Sequence, residues 1–214
     1  DWGYCGFRPL AGTLPEDFTE RYLSHIPIDR ARRTCKLPWG TELALAPFFG
    51  VMGVAPPPGY GTISTIQPRE HGGNLDNKEL VAGTTLFIPV HTAGALFEIG
   101  DGHAGQGNGE VDITALETSL RGRLQFIVRK DLALTWPRGE TPTHWIAMGT
   151  DKDLVIATKT AVRQAIEFLV TMKGLSRDDA YMLTSTACDV AVTQLVDGNV
   201  GVHVMIPKAI FTAR

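Results

Sequence analysis

Beyond residue 150 the apolar positions fall at helical spacing. Ala161, Ala165, Leu169 and Met172 recur every three or four residues, one stripe of a helix predicted over Thr158–Lys173. Gly174 stands where such a helix takes a left-handed terminal residue. Ser176 opens an S-x-x-D capping box with Asp179. Ala180, Leu183, Ala187, Val190 and Gln194 continue on one face, so a second helix is predicted to run on to Gly198. Ahead of the first helix, Asp153–Ala157 (DLVIA) reads as a short strand. After the second, Val200, Val202, Val204 and Ile206 alternate as a strand stopped by Pro207. The C-terminal part therefore reads strand–helix–helix–strand, its apolar stripes serving as core.

Before residue 150 the pattern is of short strands. Thr84–Val90 is β-branched and aromatic, Ala95–Ile99 is a second apolar run, and His144–Met148 is a third. Glu110–Glu117 alternates weakly. Leu120–Arg129 alternates better, with Leu120, Leu124, Phe126 and Val128 on one side and Arg121, Arg123 and Arg129 on the other. Short strands at this spacing suggest a sandwich or barrel. Glycine and proline sharpen the division: residues 1–149 hold 20 of the 23 glycines and 12 of the 13 prolines. The expected fold class is α+β, with a β-rich part over 1–149 and an α+β part over 150–214.

Composition removes several function classes. The net charge of -3 argues against a general nucleic-acid binder. No apolar run approaches the ~20 residues of a membrane-spanning helix. Cys5, Cys35 and Cys188 are too few and too widely spaced for a disulfide framework or a CxxC metal site. With no signal peptide in evidence, a reduced, cytoplasmic setting is the simplest expectation.

The chemistry concentrates in Gly100–Glu110, GDGHAGQGNGE, with five glycines in eleven residues. Gly100–Gly105 spells G-x-G-x-x-G, but a dinucleotide fingerprint must open a helix, and here more glycine and a strand-like run follow. Asp101 and His103, two apart, point to one side of an extended backbone. Upstream, His71-Gly72-Gly73-Asn74-Leu75-Asp76 repeats the pairing of His with Asp among glycines. Two histidines and two or three carboxylates can close one or two metal sites. Mixed nitrogen and oxygen ligands suit zinc, manganese or iron; an all-oxygen second site, for calcium, is the weaker option. The same residues can equally serve as turn formers that satisfy local amides.

Several long stretches resemble the acetamidase/formamidase family, and in order: PFFGVMGVAP (Pro47–Pro56), PREHGGNLDNKEL (Pro68–Leu80), GTTLFIPVHTAGALFEIGDGHAGQGNGE (Gly83–Glu110) and ALET (Ala115–Thr118), together with the opening Asp1-Trp2-Gly3. The resemblance implies a metal-dependent amidohydrolase that releases ammonia from short aliphatic amides, with a β-sandwich-like part joined to an α+β part. Asn108 stands where relatives often carry Asp, and Gly105 where they often carry a larger residue. Members usually have a further β-rich segment ahead of the Asp-Trp-Gly motif, so self-association, or association with such a segment, is expected.

On this reading His71, Asp76, Asp101 and His103 hold the metal, with zinc as the leading choice. Glu110 is general base and acid, with a ligand role as its alternative. Asn74 donates to a substrate carbonyl or orients Asp76, and serves equally well as a plain turn residue. Asp112 is expected to be solvated, and Glu117, facing away from Glu110 on a regular strand, to support rather than catalyse. His91 is a wall or ligand candidate, while His25, His144 and His203 read as surface or core. Cys5 lacks the His–carboxylate order of a thiol amidase. Trp2, Trp39, Phe48, Phe49 and Tyr60 could narrow a pocket but suit ordinary packing. The competing readings are a non-catalytic metal- or ligand-binding β-module or assembly subunit, and a metal hydrolase of larger or cyclic amides.

Overall fold

The computed structural model describes residues 1–211 as three small antiparallel sheets and two helices. The strands are β1 (Trp2–Phe7), β2 (Tyr22–Asp29), β3 (Thr34–Lys36), β4 (Glu42–Ala44), β5 (Phe48–Gly53), β6 (Gly72–Asn74), β7 (Thr85–Phe87), β8 (Glu98–His103), β9 (Arg138–Glu140), β10 (His144–Asp151), β11 (Asp189–Gln194) and β12 (Val200–Pro207). The helices are α1 (Leu154–Lys173) and α2 (Arg177–Ala187). The sheets run in the orders β1-β2-β3-β4, β6-β5-β8 and β11-β12-β10-β9-β7. The fold is α+β, as the two periodicities predict.

The five-stranded sheet takes β7 and β9 from the glycine-rich part and β11 and β12 from the other, and residue 150 falls inside its central strand β10. Helix α1 lies on this sheet. Ala157, Ala161, Ala165 and Leu169 are fully buried against Val202, Val204 and Ile206. The alanines matter because Gly149 of β10 passes beneath them: a Cβ there would stand 2.5 Å from the Ala161 nitrogen. Met172, the predicted end of the stripe, is 53% exposed.

DLVIA is the first turn of α1, not a strand. Asp153 is its N-cap, accepting from Val155 N at 2.7 Å and Ile156 N at 3.0 Å. Short apolar runs do not distinguish strand from helix by period, and the cap decides. Gly174 closes α1 at φ 68, and Ser176 caps α2 with its hydroxyl on Asp179 N, both as expected. The second helix, however, stops at Ala187. Cys188 turns extended, and β-branched Val190 and Val192 pair with Val204 and Val202 of β12 as a strand. The order after β10 is thus helix–helix–strand–strand.

Two predicted strands do not form. Leu120–Arg129 alternates but pairs with nothing, and residues 121–130 are exposed throughout. Glu110–Glu117 folds as turns, with Glu110 at φ 45 and Ile113 at φ 81. The Ala95–Ile99 run begins with Ala95 and Leu96 in left-handed turn conformations, and strand pairing starts only at Glu98. No helix among the described residues is long and apolar enough to cross a membrane.

Candidate metal and acid centre

Three features of local structure bring one face of the β6-β5-β8 sheet and two loops to a point. First, β8 pairs with β5 from Phe48↔His103 to Gly53↔Glu98, which sets Asp101 and His103 beside Gly50. A Cβ on Gly50 would collide with Asp76 Oδ1, stand 2.6 Å from Asp101 Oδ2 and 3.0 Å from His103 Cε1. Only a glycine leaves room for three side chains over that position. Second, Asp76 N bonds Gly50 O at 3.2 Å, tying the loop after β6 to the same spot. Third, Gly109 bonds across the end of β11, its nitrogen to Thr193 O and its oxygen from Leu195 N, both at 3.0 Å. That bridge lays Glu110 beside the turn after β11, where buried Gln194 accepts from the Val196 and Asp197 amides.

The result is a cluster of six ionisable side chains, of which Asp76, His103, Glu110 and Asp197 are buried, Glu117 is half-buried and Asp101 reaches the surface. Ligand-capable atoms of Asp76, Asp101 and His103 lie within 4.8 Å of one another; so do those of His103, Glu110 and Glu117, and those of Asp76, Glu110 and Asp197. Nε2 of His103 is 3.3 Å from Asp101 Oδ2, 3.4 Å from Glu117 Oε2 and 3.8 Å from Asp76 Oδ1. Phe48 packs edge-on against the same ring. Asn74 Nδ2 donates to Asp76 Oδ2 at 2.8 Å, so its amide orients Asp76, the second of the roles read from the sequence. Asp76, Asp101 and Glu110 all occupy left-handed backbone, at φ 45, 57 and 45. Such strain in non-glycine residues costs on the order of 1 kcal/mol or more each and gathers at functional sites.

The electrostatics are those of carboxylates crowded out of water. Burial pushes Asp76 well above the usual carboxylate range, with Glu110 and Asp197 adding to it. Burial, then the charge of Asp197, lifts Glu110 to about 8. Burial also raises Glu117 and Asp197. Asp101 goes the other way: burial is outweighed by the His103 imidazole 3.3 Å away and its charge, which hold it low. His103 in turn is raised, because Asp101 and Glu117 overcome the burial that would lower it. Four atoms here are buried with no hydrogen-bond partner: Asp76 Oδ1, His103 Nε2, Glu110 Oε2 and Asp197 Oδ2. Buried polar atoms are normally satisfied. Unsatisfied donor atoms from three acids and an imidazole, converging this closely, fit a divalent cation.

Of the residues singled out from sequence, Asp76, Asp101, His103 and Glu110 meet. His71 does not join any of the three ligand groups found among the described residues. It is buried in the turn before β6, where burial lowers its pKa and Glu70, His91 and Arg69 are its neighbours. His91 is likewise apart from the cluster. Glu117 belongs inside it: since 110–117 is not a strand, the alternation rule does not send it to the opposite face. Asp197 lay in an unremarkable Asp-Gly-Asn turn some 90 residues downstream, and no local signal marked it. Asp112 accepts from Cys5 Sγ at 3.4 Å, and burial drives the Cys5 thiol up to about 11, which leaves it inert as a nucleophile. His203 is core, bonded through Nδ1 to Thr193. Trp2, Trp39 and Tyr60 are exposed, whereas Phe49 lines an open cavity of about 500 Å³ beside Asp101.

Residues 58–213 match the sequence model of the Acetamidase/Formamidase family, nearly three quarters of the chain. The chain belongs to that family. An acetamidase of Mycolicibacterium smegmatis is 46% identical over an alignment of 146 positions that covers 58% of this chain and 36% of that protein. A formamidase of Methylophilus methylotrophus is 29% identical over an alignment of 169 positions that covers 69% of this chain and 40% of the other. The chain thus spans well under half the length of either relative. Among solved structures, the acetamidase of Bacillus halodurans superposes with a TM-score of 0.86 at 30% identity, over 98% of this chain and 70% of that one. An acetamidase of Yersinia enterocolitica superposes equally well at 28% identity.

Proposed function

We propose that this chain carries the cation-holding and proton-transferring centre of an amidohydrolase acting on short aliphatic amides of the formamide and acetamide type. The observation that carries the reading is the meeting of Asp76, Asp101, His103, Glu110, Glu117 and Asp197 in three overlapping ligand groups, within which Asp76 Oδ1, His103 Nε2, Glu110 Oε2 and Asp197 Oδ2 are buried without partners. Asp76, Asp101 and His103 would hold the cation, with Glu117 and Asp197 as further ligands within reach; zinc suits this mixed donor set. When bound, a divalent cation supplies Lewis acidity, polarising an amide carbonyl and lowering the pKa of water toward ~7.

The chain's own residues do the rest. Asn74 holds Asp76 in place through its amide. Glu110 ionises near 8 in the cation-free protein; beside a cation its carboxylate form is favoured, which brings its proton exchange down toward neutral pH. Its carboxylate takes a proton from the attacking water, and the acid so formed returns it to the departing nitrogen as ammonia. Glu110 and His103 are themselves buried, with Phe48 against the His103 ring, which limits the access of bulk water to that proton. The test is ammonia release from formamide and acetamide by the purified protein. Activity should vanish on chelation and return with Zn²⁺. A protein that takes up the cation but releases no ammonia from any short or cyclic amide refutes the assignment and leaves a binding module.

A further inference from the structure

Gln106 bonds to both Asp76 and His103 without being one of the ionisable residues of the cluster. Its Nε2 donates to the main-chain oxygen of Asp76 at 2.7 Å, and its Oε1 lies 3.0 Å from His103 Nδ1. The first contact fixes the amide's orientation, since the flipped form would set two carbonyl oxygens against each other. With its oxygen facing the ring, Gln106 needs a proton on Nδ1. The imidazole then has only Nε2 left as a lone-pair donor, and Nε2 is the atom aimed at Asp76, Asp101 and Glu117.

We propose that Gln106 is a positioning residue that fixes His103 in the Nδ1–H form, so that Nε2 presents its lone pair to the cation. The inference rests on the cation-holding reading above. It assigns Gln106 the part usually played by a carboxylate or backbone carbonyl behind a metal-bound imidazole. Here a neutral amide takes that part and does a second thing with its other end, holding the Asp76 loop at a fixed distance from the ring. Ligand orientation and loop position therefore become one device.

Replacing Gln106 separates the two tasks. Gln106→Leu removes both bonds. Gln106→Glu loses the donor to Asp76 O but keeps an acceptor for Nδ1–H. Zn²⁺ titration by calorimetry should show the leucine variant about 10- to 100-fold weaker than wild type, and the glutamate variant recovering most of that loss. In the zinc-loaded wild type, proton–nitrogen correlation spectra of labelled histidine should show His103 protonated at Nδ1 and ligating through Nε2. A mere structural brace predicts that both variants weaken alike, because both lose the bond to Asp76; that outcome overturns the inference. So does ligation through Nδ1 in the wild type, or a leucine variant that binds as tightly as wild type. A wild-type protein that takes up no Zn²⁺ overturns the cation-holding reading, and this inference with it.

Discussion

Glu110 stabilises nothing in the metal-free protein and should be a burden to it. Its carboxyl ionises near 8 in the folded chain, against 4.5 when free in water, because burial and the nearby Asp197 oppose its charge. Between those two values the unfolded chain releases a proton that the folded chain keeps. Stability therefore falls as pH rises, by about 1.4 kcal/mol for each unit. The burden is absent below pH 4.5 and grows progressively toward pH 8. Glutamine has nearly the same shape and no charge to bury. The stability advantage of Glu110→Gln over wild type should accordingly widen by about 3 kcal/mol from pH 5 to pH 7. For a chain of this length that is roughly 5–10 °C in midpoint. The other crowded acids are present in both proteins, and Glu110 itself is mostly uncharged at pH 7, so their contributions largely cancel in the difference. The assay is thermal unfolding of both proteins in chelator at the two pH values, paired with ammonia release in Zn²⁺. Activity should fall by about 10²- to 10⁴-fold, the usual contribution of a positioned acid–base. A stability gap that does not change between pH 5 and 7 refutes the buried-charge argument. Full activity in the glutamine variant refutes the proton-transfer role.

Four further outcomes are expected. Gly50→Ala should still fold, since Gly50 is not in a left-handed conformation, but its methyl would displace Asp76 and Asp101; a shift near 1 Å should cost on the order of 100-fold in kcat/KM. Asp197→Asn should weaken Zn²⁺ binding in calorimetry while leaving circular dichroism unchanged, and unaltered affinity would remove Asp197 from the centre. Asp153→Ala should lose the α1 cap and about 1 kcal/mol in urea unfolding, with no effect on ammonia release. His203, buried on β12 and held down to about 4 by desolvation, stays neutral while the unfolded chain protonates near 6.5; its penalty grows as pH falls from 6.5 to 4, so His203→Gln should lessen the loss of stability over that window relative to wild type, measured by urea unfolding.

What the sequence disclosed and what it hid divide by the range of the interaction that decides each element. Caps act within three residues, so Gly174 and the Ser176–Asp179 pair were legible. Strand pairing acts over long separations, so Leu120–Arg129 could alternate correctly and still find no neighbour, while Val190–Gln194 could continue a helical stripe and yet be claimed by β12. The site follows the same rule. Asp101, His103 and Glu110 stood out because their glycine-rich surroundings are local. Asp197 and Glu117 did not, because only the Gly109–Thr193 bridge and the failure of 110–117 to extend bring them in. His71 shows the converse: a histidine adjacent to the right loop in sequence that, on the far side of β6 from Asp76, joins none of the three ligand groups found among the described residues. The strained backbone at Asp76, Asp101 and Glu110 argues that this convergence is maintained against a cost. An arrangement that places three acids in left-handed conformations and strands four polar atoms out of water has no reason to persist for the sake of the fold alone. A bound cation would repay both costs at once. Zn²⁺ should therefore raise the unfolding midpoint of the wild-type protein in proportion to the logarithm of its concentration, and a midpoint that ignores Zn²⁺ would leave the strained acids without the purpose assigned to them.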